Sequence, residues 1–410
     1  MPLRLPVRVR RVSARRARLA VVLVLVVLTG CATGGPASKS HHAPAGSSVA
    51  TASGAPEPVA ANVLPGMPPL LSATDVYAGT RELSPAVADH LPLVYVPNSE
   101  SNSVSVIDPA TFRVVDTYSS EGREPQHVVP SYDMRTLYVT NDLPLGSGSL
   151  LPIDPRTGKP GDPLPVRDPY NMYFTPNGRY ALVVAEADKS IDLYDPHTWE
   201  QVGAIAVPDC AGVDHMDFTA DGRFAMASCE FAGEMAVLDI AGSRLVEMVD
   251  LPGTHHGAGM PQDVKLSPDG STFYVADMMA DGMYTFDAKT FASTGYIPTG
   301  KGTHGLYVTR DSQQMIITNR GEGTLSVWDF AEKKLVRKWE IPGGGSPDMG
   351  NISADGRVFW VSGRYNGEVY AIDIVDWKLL ARIPVGSGPH GLTVWPQPGR
   401  YSTGHTGVMR

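Results

Sequence analysis

The sequence predicts an all-β chain folded as a seven-bladed β-propeller, with N- and C-terminal strands closing one mixed blade. Two observations carry that prediction. A unit of about 44 residues recurs from about Leu93 to Arg400, and its third strand ends in Asp each time, at Asp108, Asp154, Asp195, Asp239, Asp287, Asp329 and Asp373. The intervals are 46, 41, 44, 48, 42 and 44 residues. A period in the forties with four short strands per unit is that of propeller blades.

Each unit opens on a hydrophobic strand and a turn such as Ser267-Pro-Asp-Gly270 or Thr219-Ala-Asp-Gly222. Asp and Gly there are turn residues, bonding their own backbone and supplying positive φ. A second strand, a polar loop, the Asp-ended third strand and a fourth strand follow, then a Gly/Pro-rich crossing. Segments such as Thr136–Thr140 and Gly367–Asp373 alternate or run apolar, as strands do. Inner strands are expected at 127–130, 171–174, 215–218, 263–266, 305–308, 349–352 and 391–394. Outer sets begin near Leu93, Thr136, Tyr180, Phe224, Phe273, Met315 and Val358. The first outer set lacks an inner strand and the last inner strand lacks an outer set. Pairing the two removes open sheet edges.

Residues 1–30 hold seven Arg, no acid and an apolar run from Leu19 to Leu28, the layout of an export signal. Residues 31–72 are rich in Ala, Pro, Ser and Gly and read as a flexible tether. The propeller is assigned to 73–400 and a short tail to 401–410. Removing the seven signal arginines from the formal charge of −9 leaves −16. So acidic a body disfavours nucleic acid and adhesion to anionic lipid.

Candidate chemistry sits at two places. The crossings into the inner strands put His304, Asp348 and His390 at one repeated position and His127, Asn171, His215 and Asp263 at the next; together they ring one mouth of the channel, with His127, His215, Asp263, His304, Asp348 and His390 as a ligand-binding set. Turn chemistry is the competing reading of the repeated Thr303-His-Gly305 and Pro389-His-Gly391. The lengthened crossing 253–263 and the loop after Ala276 offer His255, His256, Met278 and Met279. Imidazole with thioether suits copper, especially Cu(I), whereas Met can also fill gaps between blades. Neither Gly-x-Ser-x-Gly nor His-Glu-x-x-His occurs, so known hydrolase motifs are absent and no catalytic residue is assigned. Cys-x-x-Cys-His is missing too, excluding covalent c-type haem.

Three resemblances add to this. Leu28-Thr-Gly-Cys31 resembles the lipobox of bacterial lipoproteins, implying cleavage before Cys31 and lipidation of its thiol. Cys210 and Cys229 then remain, on one face of a single blade, as a disulfide or as two buried thiols in an oxidising compartment. Tyr138-Val-Thr-Asn141, with variants at Tyr95–Asn98, Tyr274–Asp277 and Ile317–Asn319, resembles the YVTN-repeat propellers over about 300 residues. Phe224 to Asp287 is similar to part of the haem d1 propeller domains, through Val249-Asp250, Thr254-His-His256, Gly257–Gly259 and Asp281-Gly282. That similarity implies a haem-like tetrapyrrole, with His256 corresponding to a pocket histidine. The second pocket histidine of that family falls at Met278 or Met279, and that domain has eight blades. The resulting expectation is a non-enzymatic binding scaffold, lipid-anchored on the extracytoplasmic side of the membrane. Its partner would be a protein, a cell-surface polymer or a small ligand. The alternative is a copper- or haem-dependent redox or cofactor-handling protein.

Overall fold

The computed structural model describes residues 63–143, 146–252 and 259–410. Seven antiparallel sheets follow one another around a central channel. Blade 1 is Leu93–Asn98, Ser103–Asp108 and Arg113–Ser119, and Thr393–Trp395 is its innermost strand. Leu93 pairs with Trp395 and Tyr95 with Thr393, so the two ends of the repeat region do share a blade. The innermost strands of blades 2 to 7 are Pro125–Pro130, Pro169–Phe174, Val213–Phe218, Pro261–Leu266, Thr303–Val308 and Pro347–Ile352. Apolar side chains from the inner and middle strands interleave between neighbouring blades and form the core.

The repeated Asp has a local cause. At all seven positions its carboxylate accepts a backbone N–H two or three residues on, as Ala110 N to Asp108 Oδ1 at 2.9 Å, fixing the turn to the fourth strand. Cys210 and Cys229 are bonded, with Cα atoms 4.9 Å apart, tying the crossing into blade 4 to the end of its second strand.

Both ends depart from the expected boundaries. Residues 63–72, assigned to the tether, include Leu64, which is buried and donates its N–H to the Asp221 carbonyl. An apolar side chain beside a groove between turns is drawn in by burial. Residues 401–410, assigned to a tail, carry the short strands Ser402–Gly404 and Val408–Met409, added to the channel edge of blade 3. His405 N bonds the Met172 carbonyl at 2.8 Å, and the Arg410 guanidinium meets Asp217 at 2.7 Å over the Tyr77 ring. This segment plugs the channel from the side of the Ser-Pro-Asp-Gly-type turns. No helix among the described residues is long and apolar enough to cross a membrane.

Candidate metal centre in the hub

The innermost strands share an irregularity that builds the site. In blades 2, 4, 5, 6 and 7 the register with the second strand shifts at the second and third residues, as between Val213 and Met216. A bulge turns consecutive side chains toward one side, so both residues of each pair can face the channel. In blades 2, 4, 6 and 7 the third residue's N–H is lost to the ladder and finds a hydroxyl on the second strand instead. His127 donates to Thr140, His215 to Ser228, Gly305 to Thr318 and Met349 to Ser362, at 2.7–3.3 Å. Thr140 and Thr318 pass the link on to the Tyr170 and Asp348 carbonyls of the next blade.

Five imidazoles meet in the hub: His127, His215, His304, His390 and, from the plug, His405, each at most 2 % exposed. Ring centroids lie 4.8 Å apart for His127 and His390, 5.2 Å for His127 and His405, and 4.8 Å for His215 and His405. His304 stands 6.4 Å from His215 and 6.1 Å from His390. Ligand atoms of His127, His215 and His405 fall within 4.8 Å of one another, and so do those of His304, Asp348 and His390.

These groups have few partners of their own. Neither ring nitrogen of His127 has a hydrogen-bond partner, and Nε2 of His405, Nδ1 of His390 and one oxygen each of Asp263 and Asp348 lack one too, while Nε2 of His215 lies 3.1 Å from the buried Asp214 carboxylate. Buried polar atoms are normally satisfied, so such a concentration calls for a ligand. The Asn171 amide lies 3.0 Å from Nδ1 of both His215 and His405 and orients the two rings. His304 Nδ1 lies 3.3 Å from Asp348 and 3.1 Å from the Met349 sulfur, while Arg320 holds Asp348 at 2.8 Å. Asp263 accepts the Leu306 N–H with one oxygen; its other oxygen stands 3.8 Å from His405.

Burial, and secondarily neighbouring imidazoles or arginines, depresses all five imidazoles well below their ordinary pKa. They are neutral at physiological pH, the form that binds metal. Burial, partly offset by Lys265, raises Asp263 to about 6.

Over the hub, the residue after each second strand forms a polar rim. Asp142, Glu186 and Glu230 come from blades 2 to 4, and Arg320 and Arg364 from blades 6 and 7. Burial, then Asp168, raises Asp142 to about 8; burial, then Glu230, raises Glu186 to about 8. A recess of about 280 Å³ beside Arg364 and Gln126 opens at this mouth.

The structure thus brings together His127, His215, His304, Asp348 and His390, with Asp263 at their edge. The copper-type set is not assembled in the same way. Met278 reaches inward to within 2.6 Å of Arg320, but Met279 is 64 % exposed. The two are consecutive in a tight turn, in which the Asp277 carboxylate holds the Met279 and Ala280 N–H groups. His255 and His256, and with them the d1-type ligand position, lie outside the described residues. Sequence reasoning placed Asn171 in the ring at the channel mouth without giving it a role, and it missed His405. The available signal for His405 was a His between two glycines beyond the last repeat, in Gly404-His-Thr-Gly407.

Fold and hub together define a seven-bladed propeller closed by its own termini, with a histidine-lined channel. The chain belongs to the YNCE-like β-propeller family, whose model matches residues 59–398. No curated protein matches it. Among solved structures it is similar to hydrazine synthase of Kuenenia stuttgartiensis, at 19 % identity over 65 % of this chain and 88 % of that one, with a TM-score of 0.55. It is similar to a dihydro-haem d1 dehydrogenase at 17 % identity, covering 80 % and 82 % with a TM-score of 0.55. A periplasmic gluconolactonase of Pseudomonas aeruginosa shares 18 % identity, covering 73 % and 98 % with a TM-score of 0.58. At such identities the likeness concerns the fold alone.

Proposed function

We propose that the protein is a lipid-anchored, extracytoplasmic propeller that binds a first-row transition-metal ion in its hub. The observation that carries this reading is His127: a fully buried imidazole, unpartnered at both nitrogens, among four other neutral imidazoles. Imidazole suits zinc, copper, iron and nickel, and the Met349 thioether beside His304 adds a soft atom that favours copper. A haem-like tetrapyrrole fits less well, since rings 4.8–6.4 Å apart leave no slot between them for a macrocycle. Anchoring rests on Leu28-Thr-Gly-Cys31.

Full-length protein, exported and purified in detergent, is expected to carry stoichiometric metal by elemental analysis. The double variant His127→Ala, His390→Ala should lose it. Wild-type protein that stays metal-free after incubation with copper(II) and zinc(II) contradicts the reading. Cys31→Ser should move the protein from the membrane fraction to the soluble exported fraction; unchanged membrane association contradicts the anchor.

A second reading, docking of a partner protein, is favoured by Phe231, Met279 and Tyr365, which are 59 %, 64 % and 70 % exposed. Phe231 and Tyr365 directly follow the rim residues Glu230 and Arg364, and Met279 follows Met278 at the corresponding place in blade 5.

A further inference from the structure

The hub offers more ligands than one ion takes, and they fall into two sets. We propose that it holds two metal ions side by side, one on His127, His215 and His405 and one on His304, Asp348 and His390, with the C-terminal plug supplying the histidine that completes the first. This rests on reading the hub as a metal centre and goes further, fixing the stoichiometry and the role of the tail.

The partition is geometric. Within each set every ligand atom lies within 4.8 Å of the others. Four-coordinate ions with metal–nitrogen bonds near 2.0–2.1 Å place neighbouring ligands about 3.3 Å apart, so small ring rotations close each set. A single ion would have to gather five imidazoles and a carboxylate, including His215 and His304, whose rings stand 6.4 Å apart.

The sets also differ chemically. The first is all imidazole, and the Asn171 amide nitrogen sits 3.0 Å from Nδ1 of two of its rings and fixes their orientation. The second carries its own carboxylate, Asp348, held by Arg320. His127 and His390, one from each set, touch at 4.8 Å between centroids, so the two ions would be close neighbours.

The plug is built to deliver His405. Gly404 packs so tightly on the Tyr173 backbone that any side chain there would collide with it, and its φ of +102° excludes other residues as well. His405 itself turns at φ +50° to aim its ring up the channel, and Arg410 latches the segment through Asp217.

The test is metal content after reconstitution of the full-length protein with copper(II), removal of loosely bound ions, and electron paramagnetic resonance. We expect two copper ions per chain and a signal well below that of the copper present, because adjacent Cu(II) ions couple. His405→Ala should bind one copper with full signal intensity, and so should His304→Ala. His405→Gln, which preserves the bulk of the plug, guards against a folding defect; it should melt like the wild type and still bind one. One copper per wild-type chain, with full signal, overturns the two-ion proposal while leaving the metal hub intact. No copper at all overturns the hub reading itself. Two coppers retained in both His405 variants overturn the role of the tail.

Discussion

At the residue scale, His127 shows a conflict between folding and function. A buried imidazole with no partner costs about 1–3 kcal/mol relative to an apolar group of similar size. His127→Leu should therefore raise the melting temperature of metal-free protein while abolishing metal binding. If the imidazole were merely structural, the same change would destabilise the fold, and differential scanning calorimetry of chelated samples separates the two outcomes. The equivalence of His127 and His215 was legible in the sequence because the repeat places them at one register. That their rings converge was not, because convergence depends on bulges that sequence periodicity does not mark.

At the element scale, the bulged inner strand is the device that turns two successive side chains inward. Its stability depends on the hydroxyl behind it. Ser228→Ala leaves the His215 N–H buried and unpaired, and is expected to cost about 1–3 kcal/mol in chemical denaturation; no change would mean that the strand re-registers. Blade 4 carries a second tie in the Cys210–Cys229 bond, which spans 19 residues. A loop of that size is worth about 3 kcal/mol in the chain-entropy account, so Cys210→Ser with Cys229→Ser should lower stability by about that amount. The turns and third-strand Asp residues were legible because each performs a local task. The plug was not: Ser402–Gly404 and His405 lie beyond the last repeat, and their pairing with blade 3 is a contact across more than 200 residues.

At the scale of the whole molecule, the propeller presents a rim acidic on one side and basic on the other above a neutral, histidine-filled hub. The two carboxyls raised to about 8, Asp142 and Glu186, hold protons more tightly folded than unfolded. Their contribution to stability is complete below the unfolded range near 4 and is lost as pH rises through about 8. The depressed imidazoles act in the opposite sense, losing stability as pH falls below about 6.5. Metal-free protein is thus expected to be most stable near pH 6.5, to weaken from there to about pH 8, and to level off above it. Glu186→Gln should flatten that alkaline slope in urea titrations; a slope unchanged by the substitution would exclude Glu186 as its source. The blade count and closure were legible from spacing alone, because a ring of equal units leaves one way to remove its edges.

The central claim, that hub histidines bind metal directly, is tested most directly by electron paramagnetic resonance of protein reconstituted with one copper(II) per chain, in natural-abundance and 15N-histidine-labelled forms. The account predicts hyperfine structure from several imidazole nitrogens that changes on labelling. It should survive His255→Ala with His256→Ala and disappear in His127→Leu with His390→Leu. A copper signal that the hub double variant leaves intact, or that vanishes with His255 and His256, would contradict it and place the metal in the lengthened crossing instead.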